Sequence, residues 1–335
     1  MLGYVVRRVL FSFVQVVFVA IASFVFLRIL PADPASKLIG INPSAQAYAA
    51  ARKTLGLNVP ITTQLVTYLG QLVHASLGTS WDTGQSVGSE IVQRYPVTLQ
   101  FVIPAFIVAI AIAVPVGLIV ASKPRGNVDK VVLGYSLFAG SQPDFWWGLM
   151  FIFLLYFEVH LFPAPLGLQS PIMSAPPPLT HFILIDSLVA GQFDVFIDGL
   201  QHLALPILTL AFLLSGPIIK MTRESAEAVF NSDFILYLRA CGLPESKVRR
   251  QMLRISVAPV LNLVGILFGF MLGGAVLIEN VFALPGLGSY ALQRTLSLDF
   301  PAIQGAVVVL TGFALGVYLL MDLLHSYLDP RVTLR

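Results

Sequence analysis

Charge is scarce in this sequence. Only 11% of its 335 residues are Asp, Glu, Lys or Arg, against roughly 25% in an ordinary soluble domain. With 57% hydrophobic residues and a mean hydropathy of +0.85, that shortage excludes a soluble enzyme, a nucleic-acid-binding module and a disordered scaffold. Cysteine is almost missing. Cys241 stands alone, so neither an internal disulfide framework nor a multi-cysteine metal site can form. His74, His160, His181, His202 and His325 lack metal-ligand spacing, and no HExxH pattern occurs. No glycine-rich phosphate loop leads into Lys-Ser/Thr, so ATP has no site of that kind here. Ser136, Ser141 and Ser215 have no convincing His partner, and no catalytic residue is assigned.

What the sequence does have is long uncharged stretches. Six lie at 9–27, 95–122, 131–157, 199–219, 255–278 and 300–321, each near or above the roughly 20 residues a helical span requires. The third is interrupted at Pro143 and Asp144. A further uncharged stretch, 159–185, carries Pro163, Pro165, Pro171, Pro176, Pro177 and Pro178. A lipid-exposed helix does not survive the loss of so many backbone donors, so this stretch is expected to be an extended loop covering the outer mouth. Six spans place both termini on one side. With the N-terminus inside, fourteen Lys and Arg fall on inner segments, among them Arg7, Arg8, Lys123, Arg125, Lys130, Arg331 and Arg335, against six outside. That bias favours N-in, C-in. The first span is too long for a signal core and lacks a small-residue cleavage site before Arg28, so it is expected to remain as an anchor.

The chain divides into an N-terminal span (1–30), an outer segment (31–94) and a five-span core (95–335). The outer segment contains amphipathic helical pieces at 45–55 and 62–74 and is expected to form a small helical subdomain. The inner segment 220–254 carries seven of the twenty basic residues. It reads as helix, turn, short helix, then Gly242-Leu243-Pro244, then helix. Gly242 suits a left-handed cap, and Pro244 suits the first turn of the next helix. Two readings stand here: a solvated positive-inside loop, or a docking surface for a cytoplasmic partner.

At this loop the sequence resembles the permease subunits of bacterial ABC importers, in particular the B-type permease of the dipeptide/oligopeptide/nickel class. Pieces in family order carry the resemblance across about 330 residues. They begin with Tyr4-Val5-Val6-Arg7-Arg8, Leu30-Pro31-Ala32-Asp33-Pro34-Ala35, Leu55-Gly56-Leu57 and Leu77-Gly78-Thr79-Ser80. Arg94-Tyr95-Pro96-Val97-Thr98-Leu99, Pro143-Asp144-Phe145-Trp146 and the loop from Phe234 to Leu243 follow. Glu279-Asn280-Val281-Phe282, Pro285-Gly286-Leu287-Gly288 and Leu328-Asp329-Pro330-Arg331 complete the series. The sequence departs from the family at Leu236, Tyr237 and Leu238, which stand where the generic loop has Glu-Ala-Ala. It departs also at Cys241, at Asp144 and in the length of the outer loop.

The resemblance implies an all-α, six-span fold of the type I importer class, in a bacterial inner membrane. It implies half of a translocation pathway for short peptides, with a second permease, two cytoplasmic ATPase subunits that bind ATP and Mg, and an extracytoplasmic binding protein. The chain itself is expected to hold no cofactor and no metal. Asp233, Phe234, Tyr237, Arg239, Ala240, Cys241, Gly242, Leu243, Pro244 and Glu245 are then the coupling residues, with Arg239 reaching a carboxylate on an ATPase and Cys241 packing at the docking surface. Nickel or oligosaccharide import by the same architecture, or a stand-alone secondary transporter, are the alternatives.

Asp144, Phe145 and Glu279 are the candidate pathway residues. A charge at the bilayer centre costs about 2.5–3.5 kcal/mol, so Asp144 should face the bundle interior. There it either meets a substrate amine or cation, or pins the break beside Pro143. Glu279 either bonds backbone donors of the 285–288 turn or gates the path. Asp322 is expected to pair with Arg331 or an inner-loop base, and Trp146 and Trp147 to pack.

Overall fold

The computed structural model of the chain describes residues 2–39, 44–122, 124 and 126–328. Lys123, Arg125, Asp329, Pro330, Arg331 and Arg335, which entered the sequence argument, lie outside them. Helix α1 (Leu2–Ile29) is followed by three short helices, α2 (Pro34–Ile39), α3 (Ala45–Thr54) and α4 (Ile61–Val73). Then come α5 (Val87–Ala121), α6 (Asn127–Ala139) and α7 (Asp144–Phe151), the last continuing into a π-helical turn, Ile152–Glu158. After an irregular stretch come α8 (Ile183–Val189), α9 (Phe193–Phe230), α10 (Asp233–Ala240), α11 (Glu245–Val281), α12 (Leu287–Leu296) and α13 (Phe300–Leu328).

Five of these helices, α1, α5, α9, α11 and α13, are each long and apolar enough to cross a bilayer. The sixth crossing expected from the sequence is the tandem of α6 and α7, broken at Gly140, Ser141, Gln142 and Pro143. The 159–182 stretch is free of helix and strand, as its prolines required. α5 starts at Val87, eight residues before the expected entry at Tyr95. Glu90 and Arg94 deterred the earlier start, yet Glu90 is buried by partners described below.

α5 and α9 form the centre of the bundle. Ala105, Ala109 and Ala113 of α5 are buried at i, i+4 spacing and meet Leu203, Leu210, Leu214 and Ile218 of α9 in one apolar cluster. One turn further, a Cβ on Gly117 would lie 2.7 Å from Thr222 Cβ, so only glycine permits this approach. Lipid tails are as apolar as Leu, so close packing of small residues, rather than water exclusion, holds such helices together. α5 continues through Pro96, Pro104 and Pro115, and α9 through Pro206 and Pro217, as buried membrane helices can. α11 and α13 pack around this pair, and α1 lies against α13. Much of α1 is exposed and apolar, including Leu10, Phe13, Phe18 and Phe26.

Two polar clasps fix one end of the bundle. Arg223 of α9 makes two bonds to Asp129 of α6, at 2.5 and 2.8 Å. Arg8 of α1 meets Asp322 of α13 at 2.6 Å. Arg8 thus takes Asp322, for which Arg331 or an inner-loop base was expected. α1 and α13 run antiparallel, which brings the two charges to the same end.

Candidate functional site: an exposed short helix, a broken span and a buried polar hub

The short helix α10 hangs between the ends of α9 and α11. Asp233 in its first turn and Arg239 in its last complement the helix dipole. Gly242 ends it with φ +72°, a left-handed conformation that glycine adopts without penalty. The N–H of Gly242 donates to Arg239 O at 2.9 Å and that of Leu243 to Leu238 O at 3.3 Å. Pro244 precedes α11 as its capping residue, one position earlier than expected. Ile235 is the buried anchor of α10, packed with Val248 and Met252 of α11 and with Val229, Phe230, Leu238 and Leu243. The opposite face is open: Phe234 is 47% exposed, Leu236 67% and Tyr237 65%. Cys241, just beyond the last turn of α10, is exposed on this chain too. Arg239 bonds Glu245 at 3.0 and 3.3 Å, so it has a carboxylate within this chain. That pairing raises the Arg239 pKa above its ordinary value.

The broken span is the second feature. α6 has 13 residues, about 20 Å of helix, which falls short of a hydrocarbon core about 30 Å thick, so a crossing needs α7 as well and the break falls inside it. Gly140, Ser141, Gln142 and Pro143 are all exposed. Asp144 begins α7 and packs against α11: a Cβ on Gly274 would lie 2.5 Å from its Oδ2. Among the described residues no basic side chain forms an ion pair with it. Phe145 is 40% exposed. Trp147 is buried, donates to Ala139 O at 3.1 Å across the break, and meets Phe212 of α9. Irregular backbone at this depth is tolerated only against protein or a water-filled cavity.

Glu279 lies near the C-terminal end of α11, five residues beyond the Gly274 that Asp144 packs against. It is fully buried. Its Oε1 accepts from the Thr98 hydroxyl at 2.5 Å and its Oε2 from the Ser289 N–H at 2.6 Å. The Leu287 N–H donates to the Thr98 oxygen at 2.9 Å. The carboxyl therefore sits over the N-terminus of α12, where free N–H groups favour negative charge. Gly286 makes room: a Cβ there would fall 2.3 Å from the carboxyl carbon.

Beside it lies a hub that sequence reasoning missed. Arg294 of α12 is paired with Asp82 and, at 3.1 Å, with Glu90. Glu90 also accepts from the Tyr290 hydroxyl at 2.7 Å and the Thr83 hydroxyl at 2.9 Å. Buried Asp299 accepts from the Ser80 hydroxyl at 2.5 Å and the Trp81 N–H at 3.1 Å. Burial beside Glu90 pushes the Tyr290 pKa up. These groups lie some 200 positions apart in the chain, and the only local hint was a charge beside apolar neighbours. A smaller clasp ties the proline-rich stretch down, with Asp198 accepting from the Ser170 N–H and hydroxyl, both at 2.6 Å. No group of three or more His, Cys, Asp or Glu suited to a metal ion occurs among the described residues.

Long apolar helices, a broken span and an exposed helix slung between two spans are the marks of a multi-pass membrane protein. Residues 113–334 match the family described as "Binding-protein-dependent transport system inner membrane component", and residues 1–102 match its N-terminal counterpart. The chain belongs to that family, and its fold is the type I importer permease fold. It is 33% identical over 337 residues to the dipeptide transport system permease protein DppB of Escherichia coli (strain K12), covering 99% of both chains. It is 35% identical to the probable D,D-dipeptide transport system permease protein DdpB of the same strain, covering 94% of this chain and 92% of the relative. With the di/tripeptide transport system permease protein DppB of Pseudomonas aeruginosa (strain UCBPP-PA14) the identity is 32%, over 99% of both.

Proposed function

We propose that this chain forms half of a translocation pathway for short peptides, in an importer driven by ATPase subunits. The observation that carries the reading is the unpartnered apolar face of α10. Three large side chains, Phe234, Leu236 and Tyr237, are held out on a helix whose only buried anchor is Ile235. In this reading an ATPase subunit receives them in a groove. Two such subunits bind the ATP and Mg, a second permease completes the pathway, and a binding protein delivers the peptide. Full-length similarity to peptide permeases supports the cargo.

With α10 in the cytoplasm, the ends of α1 and α13 clasped by Arg8 and Asp322 lie inside, and the Glu279 end of α11 lies outside. Gly140 to Asp144 then line the path inside the membrane, and Asp144 offers a carboxylate to a peptide amine. Glu279 serves the path indirectly, by fixing α12 beside it.

The test is to purify the chain from native membranes in mild detergent and assay ATPase activity in the eluate. Two ATPase polypeptides and a second permease should co-purify, and peptide-loaded binding protein should stimulate hydrolysis. Leu236→Asp combined with Tyr237→Ser should remove the ATPase subunits while thermal stability stays unchanged, because both residues face solvent. Retention of the ATPases and of stimulation by this variant would refute the docking role.

A further inference from the structure

At the end of α1 opposite α10 lies a cavity of about 220 Å³, walled by α1, α4, α13 and the stretch 55–59. Arg28, Gln64, Tyr68, Gln71 and Gln304 supply its polar lining, and no acid lines it. Arg28 forms no ion pair among the described residues. Its guanidinium lies over the Phe24 ring at 3.9 Å and 5.4 Å from the Phe300 centroid. Its Nε donates to Gln64 Oε1 at 3.3 Å. That leaves Nη1, which is buried without a hydrogen-bond partner.

Two more donors in the same lining share that condition. Gln304 is 3% exposed and its Nε2 has no partner; Tyr68 is 8% exposed and its hydroxyl has none. A buried donor left unpaired costs about 1–3 kcal/mol, more when charged, and most such groups in native proteins are satisfied. Here three collect on one cavity around one uncompensated positive charge. A single water would serve two of the donors and leave the charge unanswered. An oxyanion with several acceptor oxygens answers all of them, and a guanidinium edge is the natural partner of phosphate.

We propose that this cavity binds a phosphate oxyanion. Its position points to the source. Arg28 occupies the last turn of the span Val6–Ile29, the level of the headgroups, and the cavity opens past Val59, an apolar lining residue that is itself exposed, with Ile29 exposed next to Arg28. A phospholipid can place its phosphate in the cavity and its chains along α1. Bound there, it adds a polar tie to the apolar packing that already joins α1 to α4 and α13. Free phosphate offers the same chemistry without the chains.

The experiment uses the membrane complex purified in mild detergent and stripped of lipid. Thermal unfolding is followed while dioctanoyl-phosphatidylglycerol, inorganic phosphate or chloride of matched ionic strength is added. The phospholipid should raise the midpoint saturably and chloride should not. Arg28→Gln should weaken the half-saturating concentration at least tenfold, Arg28→Lys less, and Gln304→Leu about threefold. An equal response to inorganic phosphate would uphold the oxyanion site and assign it to the free anion. Equal responses in wild type and variants, or none in any, would overturn the proposal and leave a water-filled cavity. So would a Gln304→Leu variant that loses stability but keeps its ligand response, since Gln304 would then be serving Arg28 directly. Should Arg28→Gln fail to fold, Arg28→Lys and Gln304→Leu carry the test.

Discussion

Replacing Arg294 by Met should cost the fold about 3 kcal/mol. Arg294 and Glu90 are each 7% exposed, and removing one partner of a buried ion pair costs about 3–5 kcal/mol because the other charge stays buried. Glu90 keeps the Tyr290 and Thr83 hydroxyls, which places the loss at the lower end of that range. Asp82 is a different case. Its side chain is 49% exposed, water takes over its solvation, and Asp82→Asn should cost no more than about 1 kcal/mol. Adding Glu90→Gln to Arg294→Met removes the stranded charge and keeps an acceptor for Tyr290, so the double variant should be more stable than Arg294→Met alone. The assay is thermal unfolding of the purified complex in detergent, where about 2 °C per kcal/mol is expected for a large chain, hence a drop near 6 °C. The reasoning fails if Asp82→Asn matches Arg294→Met, or if adding Glu90→Gln lowers the midpoint further.

Gly286→Ala should destabilise by about 1–3 kcal/mol, the usual range for overpacking, because its Cβ would fall 2.3 Å from the Glu279 carboxyl carbon. Gly70→Ala is the internal control: α4 has open space there, and the same unfolding assay should find it neutral or stabilised by up to about 1 kcal/mol. Gly117→Val should impair assembly more than either, measured as the monodisperse fraction on size exclusion, since it forces α5 from α9. Burial pushes the Tyr68 hydroxyl up to about 12, from an ordinary value of 10. Its contribution to stability is therefore complete below pH 10 and lost as pH rises through 12. Tyr68→Phe should flatten that part of the midpoint-against-pH curve, and an unchanged slope would refute it.

The spans were legible because lipid imposes a long apolar run on every crossing, and the prolines of 159–182 marked that stretch as irregular for the same reason. The short helix at 233–240 and the turn after it were legible because they are local: Gly242 and Pro244 encode the chain reversal within a few residues. What the sequence hid was pairing at a distance. Glu90 belongs to a membrane helix because Arg294 and Tyr290, some 200 residues on, take its charge out of lipid. Arg8 meets Asp322 because α1 and α13 lie side by side, a matter of packing that no local pattern announces. Arg239 turned to Glu245 in its own chain because the sharp reversal at Gly242 brings six residues of separation down to bonding distance.

α9 and α11 run 38 and 37 residues, so each is a rod about 55 Å long, and the eight-residue α10 joins their ends. A rod of that length converts angle into distance. Tilting it by about 5° at the α10 end gives a stroke of about 5 Å at the other, close to one helical turn. In the proposed coupling, α9 would carry that stroke to Asp198 and α11 would carry it to Glu279 and α12. Pro206, Pro217 and Pro259 lie within these rods, and they set where each arm can flex instead of transmitting. The chain is in this sense a pair of levers sharing one short handle, and the gearing between handle and tip is written in helix length.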